Sequence, residues 1–481
     1  MRKTWPDTRE IVMTTMADSE GLARLGARVR EDLDRIAWPS VEWVKPRIGP
    51  DGKVMDDVLV VGAGQGGLAV AFQLMRERVT RVRVLDRAPR GLEGPWKTTA
   101  RMITLRSPKF TTGPDLDVPS LTFQSWYEAT RGRADWEALN KIPKEEWRDY
   151  LDWYRDVLGI AVENEAEVTA IRPFAEHVAV DVLTPAGERR HHARHVVVAT
   201  GIDGTGRWWM PPFLEAMPRG LVAHAADGID FTRLAGKSVA VLGAGASAMD
   251  NAATALEAGA AEVHVFVRRP QISRVQPYKQ ISYAGFLRHV ADLSDAMRWR
   301  MLTYLLDLRE AFPRETWERV TRHPNACLHT GRGWTGAREE AGRIVLETPS
   351  GDFAADFAIA GTGLDMDMGA RPELAPLADR VALWRDVYRP PAGEENERLG
   401  RYPYLGRTLE LTALDPADQP ALSRVRIFTF GATMSCGPSG ASINALKFAC
   451  PRLVSGITGA IFAEDAEAHM EDLLAYDVPE F

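Results

Sequence analysis

The 481-residue sequence predicts an α/β fold made of two dinucleotide-binding units, the second inserted in the first, with a helical insertion of its own. Three observations predict it. Val58–Val61 is apolar and too short for a buried helix; it runs into Gly62-Ala63-Gly64-Gln65-Gly66-Gly67 and then into a helical pattern. That order is strand, tight turn and helix N-terminus, the Rossmann arrangement in which glycines let backbone N–H groups approach a pyrophosphate. Val239–Leu242 followed by Gly243-Ala244-Gly245-Ala246-Ser247-Ala248 repeats it, with Ala in place of the third glycine. Beyond the repeat, the apolar run Phe357–Ala360 and Gly361-Thr362-Gly363 read as the chain leading back to the first unit.

The bulk numbers agree. A chain this long exceeds one compact core, so two or three domains are expected. The apolar share is 45% and the charged share 26%, both ordinary for a globular protein. A net charge of −7 argues against nucleic acid as a partner. Cys327, Cys436 and Cys450 are far apart and form no C-x-x-C, which excludes zinc ribbons and dithiol redox chemistry and suits a reducing compartment. With no basic-then-apolar leader and no run approaching ~18 apolar residues, the expectation is a cytoplasmic protein without a spanning helix.

Residues 1–55 read as an N-terminal helical extension. Leu22, Leu25, Val29, Leu33 and Ile36 recur at helical spacing behind Asp18 or Ser19 as a cap. Such a face packs on the body or on a partner subunit, which makes the extension a candidate homodimer contact. Residues 56–205 are the first part of the first unit. Its second strand, Val82–Leu85, ends in Asp86, 19 residues past Gly67, where a carboxylate accepts from a ribose 2′-OH and disfavours a 2′-phosphate. FAD or NAD fits such a site. Gly94 and Trp96 follow, then Thr104–Lys109. Trp147, Tyr150, Leu151 and Tyr154 share one helical face and read as core. A hairpin turns at Pro185-Ala186-Gly187 and leads to Ala199-Thr200-Gly201. His191, His192 and His195 sit in that hairpin strand without carboxylate or cysteine partners, so no metal site is read there.

Residues 206–354 are the second unit. Where the first site has Asp86, this one has Arg268 and Arg269, which suit a 2′-phosphate and hence NADPH. A helical insertion over 271–335 forms a cavity wall or a packed cap. Residues 355–481 return to the first unit. There the strand Val425–Phe430 precedes Gly437-Pro438-Ser439-Gly440 and a helix from about Ala441, whose positive end suits the anionic edge of a reduced flavin.

This layout resembles the class B flavin-dependent monooxygenases: the flavin-containing and Baeyer–Villiger monooxygenases and the N-hydroxylases, more narrowly the CzcO-like flavoproteins. The likeness spans about residues 56–465. It rests on Gly62, Gly64 and Gly67 with Gln65 and Gly66 between them, on Gly94–Trp96, on Ala199-Thr200-Gly201, on Gly243, Gly245 and Ser247, and on Gly220 with His224 in the linker. The resemblance implies FAD in the first unit and NADPH in the second. It also implies O₂ addition at flavin C4a and transfer of one oxygen atom to a small substrate through the resulting (hydro)peroxide, at nitrogen or sulfur. The alternatives are Baeyer–Villiger attack on a carbonyl, or an NADPH-dependent reductase serving another acceptor. Arg106-Ser107-Pro108-Lys109 resembles the family's Asn-x-x-Lys segment, which makes Arg106 and Lys109 the candidate catalytic pair. Arg106 replaces an amide that both donates and accepts, whereas a guanidinium only donates. It would stabilise a peroxide anion, clamp a substrate carboxylate, or form an ion pair beneath the Pro-rich loop.

Overall fold

The computed structural model describes residues 8–308 and 310–481, with side chains from Ser19 onward. A seven-stranded sheet forms the first unit. Asp56–Val61 lies at its centre, parallel to Val82–Leu85 on one side and to Gly187–Val198 on the other. Val162–Glu163 extends the sheet beyond Val82–Leu85, and Val425–Ile427 pairs with the end of Gly187–Val198. That long strand has two characters. Its first residues, Gly187–Arg190, are exposed and pair antiparallel with Val178–Thr184, while Val196–Val198 are buried on both faces. Charged side chains suit the first environment and an unbroken valine run the second.

Five parallel strands form the second sheet, in the order Ala326–Thr330, Glu262–Val267, Ser238–Leu242, Phe357–Ala360, Val222–His224. Phe357–Ala360 therefore does not lead straight back to the first unit. It is an inner strand of the second sheet, entered after an antiparallel three-stranded sheet of Gly336–Glu340, Arg343–Thr348 and Gly351–Ala355. A four-residue apolar run states that it is buried on both faces, not between which neighbours. The return comes next. Leu364–Met366 pairs antiparallel with Gly206–Trp208, so the two chain crossings between units run side by side as one ribbon.

The N-terminal helix extends over Thr8–Arg35, which puts Asp18 and Ser19 inside it rather than at its cap. Leu25 and Val29 are buried against the same chain. At Gly21 an added Cβ would lie 2.0 Å from the carbonyl oxygen of Ala129 in the helix Phe123–Arg131. The middle of the apolar face is thus covered by the protein itself, while Ile36 at its end is exposed.

Trp147, Tyr150, Leu151 and Tyr154 are buried along one face of Lys144–Val157, as their spacing indicates. Their polar tips are satisfied: the Tyr150 hydroxyl donates to Leu121 O at 2.8 Å and that of Tyr154 to Pro114 O at 2.6 Å. The insertion contains the helices Pro277–Gln280, Ala284–His289, Asp295–Asp307 and Arg314–Thr321. The last long helix starts at Leu446, not Ala441, and runs to Glu464. By length and composition Ile443–Glu464 is apolar enough to cross a membrane, the one such helix among the described residues. Leu446, Ala449, Cys450, Leu453, Val454, Ile457 and Ile461 are nevertheless buried in the main core, at the spacing of a one-sided helix.

Candidate active site

The first glycine turn divides its labour. Gly62 has φ +101°, and a Cβ there would lie 2.6 Å from Ala199 O. At Gly67 it would lie 1.8 Å from Gly62 O, and at Gly66 3.1 Å from Gly440 O. These three let backbones meet. Gly64 differs, because nothing lies within 4 Å of an added Cβ. It is the N-cap of the helix Gln65–Arg76, makes no side-chain cap bond, and no acid occupies the first turn. By contrast, Thr122 caps Phe123–Arg131 through Ser125 N–H. A helix N-terminus left uncapped and facing open space fits a pyrophosphate.

Around it, the Asp86 carboxylate accepts from Ala63 N–H at 2.7 Å and Ala88 N–H at 2.8 Å, and burial raises its pKa despite both bonds. Thr200 presents a buried hydroxyl without a protein partner, and Gly201 (φ +90°) leaves open space beside it. Gln65 accepts from the Trp147 indole at 3.3 Å, and Trp96 meets the Trp147 ring edge-on, with centroids 6.4 Å apart. Gly94 has φ +74° and starts the turn that carries Trp96. One determinant has no sequence signal. Glu93, almost fully buried, accepts from Arg155 at 3.1 Å and Asn164 at 2.7 Å, while Arg148 donates to its carbonyl at 3.1 Å. Those partners are 55 to 71 residues away, so no local motif announces them.

The second turn reaches the same geometry with a different residue exchange. Gly243 has φ +109°, and its added Cβ would lie 2.4 Å from Gly361 O, as Gly62 faces Ala199. Gly245 caps Ala246–Glu257 without a side-chain bond and faces open space. The third glycine is replaced by Ala248, and the strand opposite compensates: a Cβ on Gly361 would lie 2.4 Å from that of Ala248. Ala199 follows its strand at the position that Gly361 has in the second sheet, so the first site has Gly67 and Ala199 where the second has Ala248 and Gly361. Ser247 lies in the helix's first turn, its carbonyl accepting from Asn251 at 2.8 Å. Arg268 is exposed and has no side-chain partner among the described residues. Arg269 instead donates to the carbonyls of Asp307 at 3.2 Å and Leu308 at 3.4 Å, at the end of Asp295–Asp307. His224 is buried in the linker, stacked on Trp208 with centroids 5.3 Å apart, its Nδ1 accepting from Ala226 N–H at 3.1 Å. Burial lowers its pKa, which keeps the ring neutral.

Arg106 lines a groove of about 420 Å³ where the 102–106 segment of the first unit faces Ala246–Glu257 and Arg314–Thr321 of the second. It donates to Glu310 at 2.7 Å, and Gln276 holds the other oxygen of that carboxylate at 2.9 Å. Its Nε is buried without a partner. Asp250 lies on the opposite wall, accepting from Thr316 at 2.9 Å and Arg319 at 3.2 Å; burial raises its pKa, partly offset by Thr316, Arg106 and Arg319. Arg319 also reaches Arg101 O at 3.2 Å and so ties the two units. Lys109 is not among the groove's lining residues. Its ammonium donates to the carbonyls of Trp136 at 2.6 Å and Glu137 at 3.2 Å, over the Trp136 ring. Asp250, Thr316 and Arg319 were not singled out from the sequence, since nothing in their spacing joins them to Arg106.

Two uncapped glycine turns, each opening a helix beside a parallel sheet, fit the two dinucleotides of an FAD- and NADPH-using oxidoreductase. The comparisons with known proteins agree. The FAD-NAD(P)-binding family matches residues 59–203, and the L-lysine 6-monooxygenase/L-ornithine 5-monooxygenase family matches residues 137–301. An FAD-dependent urate hydroxylase of Xanthomonas campestris pv. campestris is 42% identical over 468 residues, 96% of this chain and 97% of that protein. A Baeyer-Villiger monooxygenase of Streptomyces coelicolor is 30% identical over 194 residues, 40% of this chain and 34% of that protein. Among solved structures, the ornithine N-hydroxylase of Kutzneria sp. 744 superposes with TM-score 0.65 at 21% identity, over 84% of this chain and 99% of its own. The chain belongs to the class B flavin-dependent monooxygenases, and it is an FAD-dependent NADPH monooxygenase.

Proposed function

We propose that the protein hydroxylates urate, or a purine with the same oxygenated ring edges, in the groove beside Arg106. The end-to-end 42% identity to the Xanthomonas urate hydroxylase carries this reading. The groove's chemistry supports it. Urate presents ring N–H donors and carbonyl acceptors and is an anion at neutral pH; the Asp250 carboxylate accepts, while Arg106 donates through the N–H groups that Glu310 does not take. A volume of about 420 Å³ suits one bicyclic heterocycle. When bound, FAD reduced by NADPH supplies the activated oxygen. The chain's own part is to hold the ring by Arg106 and Asp250, keep His224 neutral in the linker, and tie the two units together through Arg319.

The test is to supply the FAD-loaded enzyme with NADPH, O₂ and one compound at a time: urate, L-ornithine, L-lysine or a cyclic ketone. Urate absorbance should fall in step with NADPH oxidation, with little hydrogen peroxide released. Urate that survives unchanged while NADPH oxidation continues at its basal rate refutes the reading. The lysine/ornithine family match over 137–301 favours a second reading, oxygenation of an amine nitrogen, which predicts a hydroxylamine from ornithine or lysine in the same panel. We also place the protein in the cytoplasm, a reading that its free Cys327, Cys436 and Cys450 support.

A further inference from the structure

We propose that Arg332, together with Arg268, holds the 2′-phosphate of NADPH, and that Arg269 takes no part. The strands Glu262–Val267 and Ala326–Thr330 run parallel and end together, with Val267 opposite Thr330. The second glycine turn is bonded to that same edge, Gly243 N–H donating to Phe266 O at 2.8 Å. Beyond the strand ends the two loops are tied to each other, since Arg332 N–H donates to Val267 O at 2.9 Å and Gly331 N–H to Arg269 O at 2.8 Å. This fixes the Arg332 backbone next to Arg268. Gly333 completes the corner: a Cβ there would lie 3.3 Å from Cβ and 3.4 Å from Cγ of Arg268, so the stem of Arg268 passes across a residue without a side chain.

The three arginines differ in what they already bind. Arg269 donates to Ser273, Asp307 and Leu308, the favourable negative end of a helix. Arg268 and Arg332 are both exposed, and among the described residues neither side chain has a hydrogen-bond or ion-pair partner. Two guanidiniums on bonded loops, neither one paired with a carboxylate among the described residues, suit a dianion.

The first unit provides an internal control. Its corresponding corner joins Asp86, after Val82–Leu85, to Asn164 and Glu165, after Val162–Glu163, through Ala166 N–H to Asp86 O at 2.9 Å and Glu165 N–H to Ala88 O at 3.2 Å. There the two loops carry acids, Asp86 on one and Glu165 on the other. In the second unit both loops have changed sign together. A single arginine at the strand end needs no such partner on the neighbouring loop, whereas a phosphate with three acceptor oxygens uses two.

The experiment titrates the FAD-loaded protein with 2′,5′-ADP and with 5′-AMP by calorimetry, in the wild type and in Arg268→Ala, Arg332→Ala, Arg269→Ala and Arg332→Glu. Wild type should bind 2′,5′-ADP more tightly. Arg268→Ala and Arg332→Ala should each weaken 2′,5′-ADP by about tenfold, the scale of one charged hydrogen bond, and leave 5′-AMP unchanged. Arg269→Ala should preserve the ratio, and Arg332→Glu should bring it to one or below. FAD content and far-UV circular dichroism confirm that these surface variants are folded. An unchanged ratio in Arg332→Ala, an Arg269→Ala loss equal to that of Arg268→Ala, or no wild-type preference for the 2′-phosphate overturns the assignment.

Discussion

Gly361→Ala is the sharpest test of how the second nucleotide turn is built. Gly361 lacks a left-handed φ, so alanine is conformationally allowed and only space opposes it. The new Cβ would meet Ala248 Cβ at 2.4 Å, Leu242 O at 2.8 Å and Ala248 Cα at 3.0 Å. None of these atoms can rotate away. The cost belongs at the upper end of overpacking, about 3 kcal/mol. Ala248→Gly alone puts a glycine into Ala246–Glu257 and costs about 1 kcal/mol. The double variant removes the 2.4 Å contact, leaves the 2.8 Å one to Leu242 O, and places glycine and alanine as Gly67 and Ala199 stand in the first turn. It should therefore lose about 2 kcal/mol rather than the additive 4, a coupling of about 2 kcal/mol. Urea unfolding of the four proteins by circular dichroism measures the cycle, with flavin emission as a separate probe of the first unit. If the double variant loses the sum of the singles, the steric exchange is not what lets alanine replace the third glycine.

The remaining predictions probe other parts of the chain. Gly64→Ala should fold normally yet retain less FAD, because its Cβ enters open space above the helix end, whereas Gly67→Ala should fail to fold stably; flavin content beside circular dichroism separates the two. Arg106→Ala should raise KM for urate about tenfold, the scale of one lost charged hydrogen bond, while Lys109→Ala should lower stability and leave KM unchanged. Asp465→Ala removes a buried partner of Arg194 and should cost about 3–5 kcal/mol in denaturation. Asp57, buried beside Arg81, has its pKa raised by burial from 3.8 to about 6, so the folded state binds a proton that the unfolded state releases. Its contribution to stability therefore falls as pH rises from about 4 to about 6, by about 3 kcal/mol at 1.36 per unit. Asp57→Asn should lack this component, so its stability relative to wild type should improve across that window.

What was legible in the sequence was local. The glycine turns, the acid at the end of Val82–Leu85, the aromatic face of Lys144–Val157 and the hairpin at 185–187 each depend on residues within one or two elements. Their periodicity or turn chemistry is written in consecutive positions. Phe357–Ala360 shows where that stops. Its burial was readable, but its neighbours, Ser238–Leu242 and Val222–His224, are more than a hundred residues upstream. Arg106 and Glu310 are 204 residues apart, and the Glu93 cluster likewise exists only after folding.

Arg268 and Arg269 carry the same lesson to the scale of one peptide bond. Two adjacent arginines at a strand end are chemically equivalent in a sequence, and both suit a phosphate. What distinguishes them is which way each leaves the strand. Arg269 turns onto the carbonyl end of Asp295–Asp307, part of an insertion whose position no motif specifies. Arg268 crosses Gly333 and has no partner among the described residues, with Arg332 on the loop bonded beside it. A helix C-terminus draws a cation by its dipole as readily as a ligand does, at a few tenths to one kcal/mol in exposed settings, roughly. The sequence thus names the chemistry of a nucleotide corner, while long-range packing selects which of its charges stays free to perform it.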